Sequence, residues 1–288
     1  MSPQRRHIAV VTDSTAYLPD KAADDLHITV VPLQVIFDGR SYAEGVEISS
    51  ERVARALKAD LRVTTSRPSA QAFVDTYEQL RREGASAVVS VHMSGDMSGT
   101  VDAARTAARE LEATGLQVEV VDSRSLGMGM GFGVLDAARA AAAGASPEEV
   151  ASAARRRSLH SSIYMYVDTL EYLRRGGRIG AAQALLGSAL TIKPLLHLVD
   201  GRLEALDRVR TTARALDRLV EVAAQDAREH PAELAVHHLD APDRAEEVAA
   251  RLREAVPGVG EIAVSEVGAV VGAHVGPGTV GVVVSPRP

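Results

Sequence analysis

Short apolar runs alternate with longer segments of helical periodicity through the first half of the chain. Apolar runs at residues 8–11, 87–93 and 117–121 predict buried strands. Helices are predicted at residues 19–26, 50–59, 70–83, 98–113, 127–143 and 147–158. Strands that alternate with helices predict a mostly parallel sheet with helices on both faces. We therefore expect residues 1–158 to form an N-terminal α/β domain.

The second half has a different pattern. An Asp200-Gly201 pair between two apolar runs predicts a β-hairpin. A long helix is predicted at residues 211–229, and a helix rich in arginine and glutamate at residues 242–255. Further strands are predicted at residues 162–167, 234–239, 262–267 and 279–284. A hairpin and helices on a small sheet indicate a smaller α+β domain over residues 159–288.

Small polar residues follow each of the three strands predicted in the first half. These groups are Asp13-Ser14-Thr15, Ser98-Gly99-Thr100 and Asp122-Ser123. Ligands of open α/β sheets bind beyond the carboxyl ends of strands, so one shared site is predicted there. The Ser98 loop precedes a helix, and hydroxyls with free N–H groups at a helix start favour an anionic head group. Helix capping is the alternative explanation of these hydroxyls.

Three other segments carry candidate chemistry. Residues 63–69 form a predicted polar loop with the hydroxyl cluster Thr64-Thr65-Ser66, which could also serve as a cap. His274 lies in the Gly-rich segment 272–278, predicted as a rigid loop that allows close backbone approach to a ligand. Arg174, Arg175 and Arg178 flank a glycine pair. They indicate either solvated helix ends or a surface for phosphate or an acidic partner.

Composition removes several classes of function. Hydrophobic residues make up 46% and charged residues 24%, as in soluble globular proteins. A net charge of −6 argues against nucleic-acid binding, and the absence of cysteine excludes disulfides and thiolate catalysis. The sequence has neither a phosphate loop nor a G-x-S-x-G nucleophile elbow. His237 and His238 would point to opposite faces of a strand, so no metal site is predicted.

The N-terminal segment does not have the pattern of a signal peptide. Residues 1–7 are basic, but only four apolar residues follow before Thr12. The sequence also contains no apolar run of the roughly 18 residues needed to span a bilayer. We therefore expect a cytoplasmic protein with no stable membrane insertion.

Taken in order, these motifs resemble the DegV family of bacterial fatty-acid-binding proteins across nearly the whole chain. The matching segments are Asp13-Ser14-Thr15, Thr65-Ser66-Arg67-Pro68-Ser69, Met97-Ser98-Gly99-Thr100, Asp122-Ser123, Tyr172-Leu173-Arg174-Arg175-Gly176-Gly177-Arg178-Ile179, Ile192-Lys193-Pro194-Leu195 and His274-Val275-Gly276-Pro277-Gly278.

The resemblance implies a non-catalytic protein that buries one long-chain fatty acid between the two domains. It implies that Thr65 and Ser98 hold the carboxylate, with His274 nearby and the Gly99 N–H as a further donor. Further candidates for the site lining are Asp13, Ser14, Ser66, Thr100, Asp122 and Ser123. The fatty acid would be presented to a separate ATP-dependent fatty acid kinase that forms acyl-phosphate. Arg178 would contact that kinase or the phosphate, and no metal or other cofactor is implied.

Two residues depart from the family pattern. Arg67 replaces the more usual glutamine and adds a charge beside the expected head-group site. Val101 stands where the family often has an aromatic residue. Neither change removes an expected carboxylate contact, but both could alter selectivity or the choice of partner.

Two other functions are consistent with the same residues. Ser98, His274 and Asp122 are the residue types of a hydrolase triad, which would make the protein a lipid esterase. Alternatively, the protein could be a regulatory interaction module with the lipid as a structural filler.

Overall fold

The computed structural model describes residues 7–19, 21–185 and 192–287, so the N-terminal residues 1–6 that bear on a signal peptide lie outside it. The strands are β1 (Ile8–Asp13), β2 (Ile28–Val31), β3 (Gln34–Phe37), β4 (Arg40–Ala43), β5 (Val63–Ser66), β6 (Ala87–His92), β7 (Gln117–Asp122), β8 (Ser162–Tyr166), β9 (Lys193–Val199), β10 (Arg202–Val209), β11 (Ala232–His238), β12 (Ala263–Glu266) and β13 (Val280–Pro286). The helices are α1 (Ala22–Asp25), α2 (Ser50–Lys58), α3 (Ala70–Arg82), α4 (Thr100–Leu111), α5 (Met128–Ala142), α6 (Pro147–Leu159), α7 (Glu171–Arg175), α8 (Thr212–Glu229), α9 (Pro242–Ala255) and α10 (Ala269–Val275). None of these helices has both the length and the apolar character required to cross a bilayer.

The chain folds into two compact units. Met1–Leu33 and Arg67–Leu159 form the first unit, and Gln34–Ser66 and His160–Pro288 form the second. The sequence predicts a single boundary near residue 158, which would place Gln34–Ser66 in the N-terminal domain. The structure instead groups this segment with the second unit. Its strands form a separate antiparallel sheet of order β4-β3-β5. A two-residue turn suffices for antiparallel pairing, so this segment can form a sheet of its own rather than extend the parallel one.

The first unit is built on a four-stranded parallel sheet of order β2-β1-β6-β7. Every residue of β1 and β6 is buried, as expected for strands covered on both faces. Helices α3 and α4 pack on the face that includes Val11 and Val88. Helices α5 and α6 contact strands of the same sheet. The predicted α/β class with a parallel sheet is confirmed.

The second unit contains a six-stranded sheet of order β10-β9-β8-β13-β11-β12. Its pairs are antiparallel except for β11 and β12. Helices α8 and α9 bury their apolar faces in one core with β8, β11 and β13. The hairpin predicted at Asp200-Gly201 joins β9 to β10, and both turn residues have positive φ, +49° and +82°. This is the conformation that a type I′ turn requires.

Two local predictions near the candidate site are wrong. Residues 63–66, predicted as loop, form β5, which pairs with β3. The threonine-rich segment has strand propensity but lacks the apolar residues that mark a buried strand. His274, predicted in a loop, lies in α10. Gly272 gave the loop signal, yet it serves packing here, because a Cβ at this position would lie only 3.1 Å from Leu239 Cδ2.

Candidate functional site

Thr65 and His274, two of the predicted carboxylate ligands, form a hydrogen-bonded pair in the second unit. Thr65 Oγ1 lies 2.8 Å from His274 Nε2, although 209 positions separate the two residues. Strand β5 carries the threonine and helix α10 carries the histidine, and the two elements are in contact. The fold therefore brings together two side chains that the sequence places at distant positions.

A buried glutamate fixes the helix that carries the histidine. Glu44 is 4% exposed, and its Oε1 accepts a 2.7 Å hydrogen bond from Val270 N in the first turn of α10. A carboxylate at this position satisfies a helix N–H group and interacts favourably with the helix dipole. Glu44 was not predicted from the sequence, because a single acid in a polar stretch has the pattern of a solvated residue.

Glycines in two motifs make room for the histidine and its neighbours. The His274 ring packs directly on Gly176, where a Cβ would lie 2.8 Å from Cε1 and 3.3 Å from Cγ. Gly276 has φ +79°, and a Cβ there would collide with the ring of Tyr172. The glycines of the G-G-R and H-x-G-P-G motifs are therefore required by close approach and backbone conformation.

The histidine is neutral near pH 7. Burial, and secondly the charge of Arg178, lower the pKa of His274 from 6.5 to about 4. A neutral imidazole carries one N–H. Nδ1 is buried against Gly176 and has no hydrogen-bond partner among the described residues. Buried N–H groups without a partner are rarer than buried acceptors without one, so we assign the proton to Nε2, which then donates to Thr65 Oγ1. The hydroxyl proton of Thr65 then remains for a ligand.

Replacing His274 with glutamine should reduce the acid sensitivity of the fold. Neutral His274 contributes stability that is fully present above pH 6.5 and is lost as the pH falls through the folded value of about 4. We expect this histidine to lower the free energy of unfolding by about 2–3 kcal/mol between pH 7 and pH 4.5. Urea denaturation of the wild type and His274→Gln at both pH values measures the difference.

The exposed His230 provides the control, since His230→Gln should retain the acid sensitivity of the wild type. Burial, and secondly the neighbouring His238, also lower the pKa of His237 to about 4. Because His237 is present in every variant, the stability that it loses in acid is the same in all of them. Equal acid sensitivity in His274→Gln and the wild type would contradict the neutral, buried state.

A cavity of about 510 Å³ lies beside the Thr65–His274 pair within the second unit. Its apolar lining is contributed by Leu57, Leu61, Val63 and Ala273. Its cationic lining is contributed by Arg62, Arg175 and Arg178. Arg175 forms a 2.9 Å ion pair with Asp60, whereas Arg178 donates a 2.7 Å hydrogen bond to the Gly176 carbonyl. The predicted partner or phosphate residue, Arg178, therefore lines the same cavity as the pair.

In the first unit, the three predicted strand ends meet at one edge of the parallel sheet. The Asp13 carboxylate accepts a 3.0 Å hydrogen bond from Met93 N. The Asp122 carboxylate accepts a 3.2 Å hydrogen bond from Gly95 N. These contacts join the ends of β1 and β7 to the loop that follows β6, as the parallel topology predicts.

The Ser98 loop is tightly hydrogen-bonded. Ser98 Oγ lies 2.8 Å from Thr100 Oγ1, and Ser98 N donates to the Ser94 carbonyl at 3.1 Å. Gly99 is the N-cap residue of α4. Ser98 and Gly99 are partly exposed, whereas Thr100 is buried. Binding of one carboxylate by both the Ser98 loop and Thr65 remains a prediction.

The other predicted lining residues mostly serve local structure. Ser14 Oγ accepts a hydrogen bond from Leu33 N at 3.0 Å. Ser123 is buried and exchanges hydrogen bonds with the backbone of Ser125. Ser66 is exposed at the end of β5. Their contact with a ligand stays a prediction.

A buried polar network that was not predicted from the sequence lies at the end of β6. Asp13 Oδ2 lies 3.1 Å from His92 Nδ1, and His92 Nε2 lies 2.7 Å from Ser90 Oγ. Tyr77 donates a 2.8 Å hydrogen bond to the same serine oxygen. Ser90 and His92 interrupt an otherwise apolar strand at alternate positions, which is the signal that could have identified the network.

The Asp13 carboxylate is charged at neutral pH despite complete burial. Burial alone would raise its pKa, but the hydrogen bond and charge of His92 oppose this effect. Hydrogen bonds from Thr15 and from Met93 N also lower the pKa, and together they hold it below 3.8. The carboxylate therefore acts as a buried acceptor that ties the end of β1 to the end of β6.

The geometry within each unit does not support the esterase alternative. A Ser-His-Asp triad needs a carboxylate hydrogen-bonded to one ring nitrogen of its histidine. In His274, Nε2 bonds to Thr65, and Nδ1 has no hydrogen-bond partner in the described part of the chain. Asp122, the proposed acid, accepts from the backbone of Gly95 and Arg124 instead.

The adjacent histidines of β11 have separate surroundings. His237 is buried, and its Nδ1 lies 2.9 Å from Ser265 Oγ. His238 Nδ1 accepts a long hydrogen bond, 3.5 Å, from Ala241 N. Across residues 7–19, 21–185 and 192–287, no three His, Asp or Glu side chains are grouped to hold a metal ion.

Nearly the whole chain is similar to proteins of one family. A family model described as "Uncharacterised protein, DegV family" matches residues 7–287. A DegV domain-containing protein of Streptomyces coelicolor is 54% identical over 282 residues, which covers 98% of this chain and 99% of that protein.

Two solved structures have the same fold over similar lengths. A DegV family protein from Thermus thermophilus, described as fatty acid binding, superposes with a TM-score of 0.90 at 35% identity and covers 98% of this chain and 100% of its own. DegV of Bacillus subtilis, also described as a fatty acid binding protein, gives a TM-score of 0.88 at 33% identity with the same coverage, 98% and 100%. The chain therefore belongs to the DegV family.

Proposed function

We propose that this protein binds one long-chain fatty acid and presents its carboxylate to a separate ATP-dependent kinase. The observation that carries the proposal is the Thr65–His274 pair beside a partly apolar cavity. The fatty acid binding of the Thermus and Bacillus relatives supports the same choice of ligand.

Neutral donors suit a carboxylate that has to be released. With Nε2–H of His274 donating to Thr65, the threonine hydroxyl donates its own proton to a carboxylate oxygen. Ser98 Oγ and the Gly99 N–H are the further donors that we expect to hold the head group. None of these groups leaves an unpaired buried cation when the ligand departs, which would be costly.

The acyl chain would supply most of the affinity. Each buried methylene contributes about 0.8 kcal/mol, so a chain of about fourteen contributes on the order of 10 kcal/mol. Ordering of the ligand and loss of its free motion offset a large part of this gain. The head-group donors then set the orientation of the acid and contribute the smaller share of the affinity.

Phosphorylation of the bound acid is assigned to a partner protein because the sequence lacks a phosphate loop. In that reaction, a carboxylate oxygen attacks the γ-phosphorus of ATP, the new C(O)–O–P linkage forms and ADP leaves. Arg178 is the candidate contact for the kinase or for the transferred phosphate. It is exposed and lines the cavity beside His274.

Native mass spectrometry tests the first step. Protein purified from a bacterial host should carry a long-chain fatty acid, and delipidated protein should take up one equivalent. A protein that neither retains nor takes up a fatty acid would refute the proposal.

Replacing Ser98 with alanine should weaken fatty-acid binding about tenfold, because a hydrogen bond to a charged group is worth about 1.5–3 kcal/mol. Titration calorimetry on delipidated protein gives the affinity. The matched control is Ser86→Ala, an exposed serine just before the start of the same strand, β6, which should bind as the wild type does. Equal affinities for Ser98→Ala and Ser86→Ala would remove Ser98 from the head-group site.

Reconstitution with a fatty acid kinase from the same organism tests the second step. We expect ATP consumption that depends on both this protein and the fatty acid. Tight fatty-acid binding without stimulation by the kinase would instead favour a regulatory module in which the lipid is a filler.

A further inference from the structure

The strongest unexplained feature near the candidate site is an arginine that packs on Gly99. The Arg67 side chain crosses the Gly99 Cα so closely that a Cβ there would collide with Nη1 and lie 3.1 Å from Cδ and from Cζ. Both residues belong to the first unit, and Arg67 is exposed. A side chain at position 99 would therefore displace the guanidinium, whereas the glycine φ of −73° is ordinary.

The local sequence holds Arg67 in this place. Pro68 follows Arg67, and a proline restricts the backbone of the residue before it to extended conformations. Pro68 itself is buried. Ser69 then caps α3 by accepting a 3.1 Å hydrogen bond from Ala72 N. The backbone that carries the Arg67 guanidinium is therefore restrained on its C-terminal side, where the side chain approaches the Ser98-Gly99 loop.

From this contact we propose that Arg67 determines head-group specificity. It makes the Ser98-Gly99 loop select an ionised acid over uncharged lipids of the same chain length. The inference rests on the proposed function. An acceptor bound to the Gly99 N–H lies about 2.9 Å from that nitrogen. A guanidinium in contact with the same residue is well within the roughly 8 Å over which charges interact in physiological salt.

The opposing charges of the loop are few. Asp102, in the first turn of α4, is paired with Arg105 at 3.4 Å. Asp122 is engaged by the backbone N–H groups of Gly95 and Arg124. Asp96 and Arg67 each have interactions of their own, so neither side chain is isolated. A neutral head group gains nothing from this charge, whereas a carboxylate does.

The test compares a long-chain fatty acid with the primary alcohol of equal chain length on delipidated protein. We expect Arg67→Gln to weaken binding of the acid about fivefold at low salt and to leave binding of the alcohol unchanged. The salt dependence of acid binding should fall in the same variant. Arg105→Gln, which removes an equal charge from α4, is the matched control and should behave as the wild type.

The possible outcomes are distinct. Equal loss of acid and alcohol binding in Arg67→Gln would show a packing role and overturn the inference, as would no loss of either. Both results leave fatty-acid binding by the wild type intact. A wild-type protein that binds neither lipid would overturn the proposed function together with this inference. Arg67→Lys, which keeps the charge, should retain most of the preference for the acid.

Discussion

Replacing Thr65 with valine is expected to weaken fatty-acid binding about ten- to hundredfold. The hydroxyl that this change removes donates to the carboxylate, and a hydrogen bond to a charged group is worth about 1.5–3 kcal/mol. The substitution also leaves the Nε2–H of His274 without its acceptor at 2.8 Å. Titration of delipidated protein with a long-chain fatty acid measures the loss.

Two variants make this result specific. Thr65→Ser keeps the hydroxyl and should remain within a few-fold of the wild type. Ser41→Ala removes an exposed hydroxyl from β4 of the same three-stranded sheet, outside the cavity lining, and should bind normally. A loss in Ser41→Ala as large as that in Thr65→Val would show that sheet stability, not head-group contact, governs binding.

The strands and helices of the first unit were predictable because they have strong, regular patterns. The apolar run that became β6 and the helix that became α3 have clear periodicity. Ser69 is a residue type favoured at helix N-caps, and it accepts a backbone hydrogen bond from Ala72 N at the start of α3. In these segments, local propensity and burial favour the same structure.

The surroundings of the candidate site were harder to predict, because the decisive partners lie far away in sequence. Strand β5 is held by pairing with β3, and helix α10 is held by the Glu44 carboxylate. Strand β5 has no apolar run that marks it, and the apolar segment of α10 is too short to distinguish a helix from other buried structure by its periodicity. Glycine in α10 indicated a loop, although its role there is close packing against Leu239.

Sequence motifs identified the candidate site residues, but their protonation and hydrogen bonding depend on the fold. The sequence identified Thr65 and His274 as candidates. It could not show that the ring packs on Gly176, which leaves Nδ1 without a partner and places the proton on Nε2. That arrangement turns the threonine into the donor, a consequence of contacts rather than of composition.

Replacing Asp13 with alanine is expected to cost about 3–5 kcal/mol of stability, because each buried donor that loses its acceptor costs about 1–3 kcal/mol. The carboxylate and His92 are both fully buried, 3.1 Å apart. The change also deprives Met93 N and the Thr15 hydroxyl of their acceptor. Urea denaturation at pH 7 measures the loss. The control Asp102→Ala removes an exposed carboxylate and should cost less than about 1 kcal/mol.

Asp13→Asn keeps the shape of the side chain and tests the charge directly. Because the folded pKa of Asp13 lies below 3.8, its ionised form contributes stability that is present above this pH and is lost as the pH falls through the folded value. The stability difference between the wild type and Asp13→Asn should therefore be largest near neutral pH and shrink in acid. A difference that stays constant from pH 7 to pH 3 would show that shape rather than charge holds the ends of β1 and β6 together. In that case the loop carrying Ser98 would owe its position to packing alone.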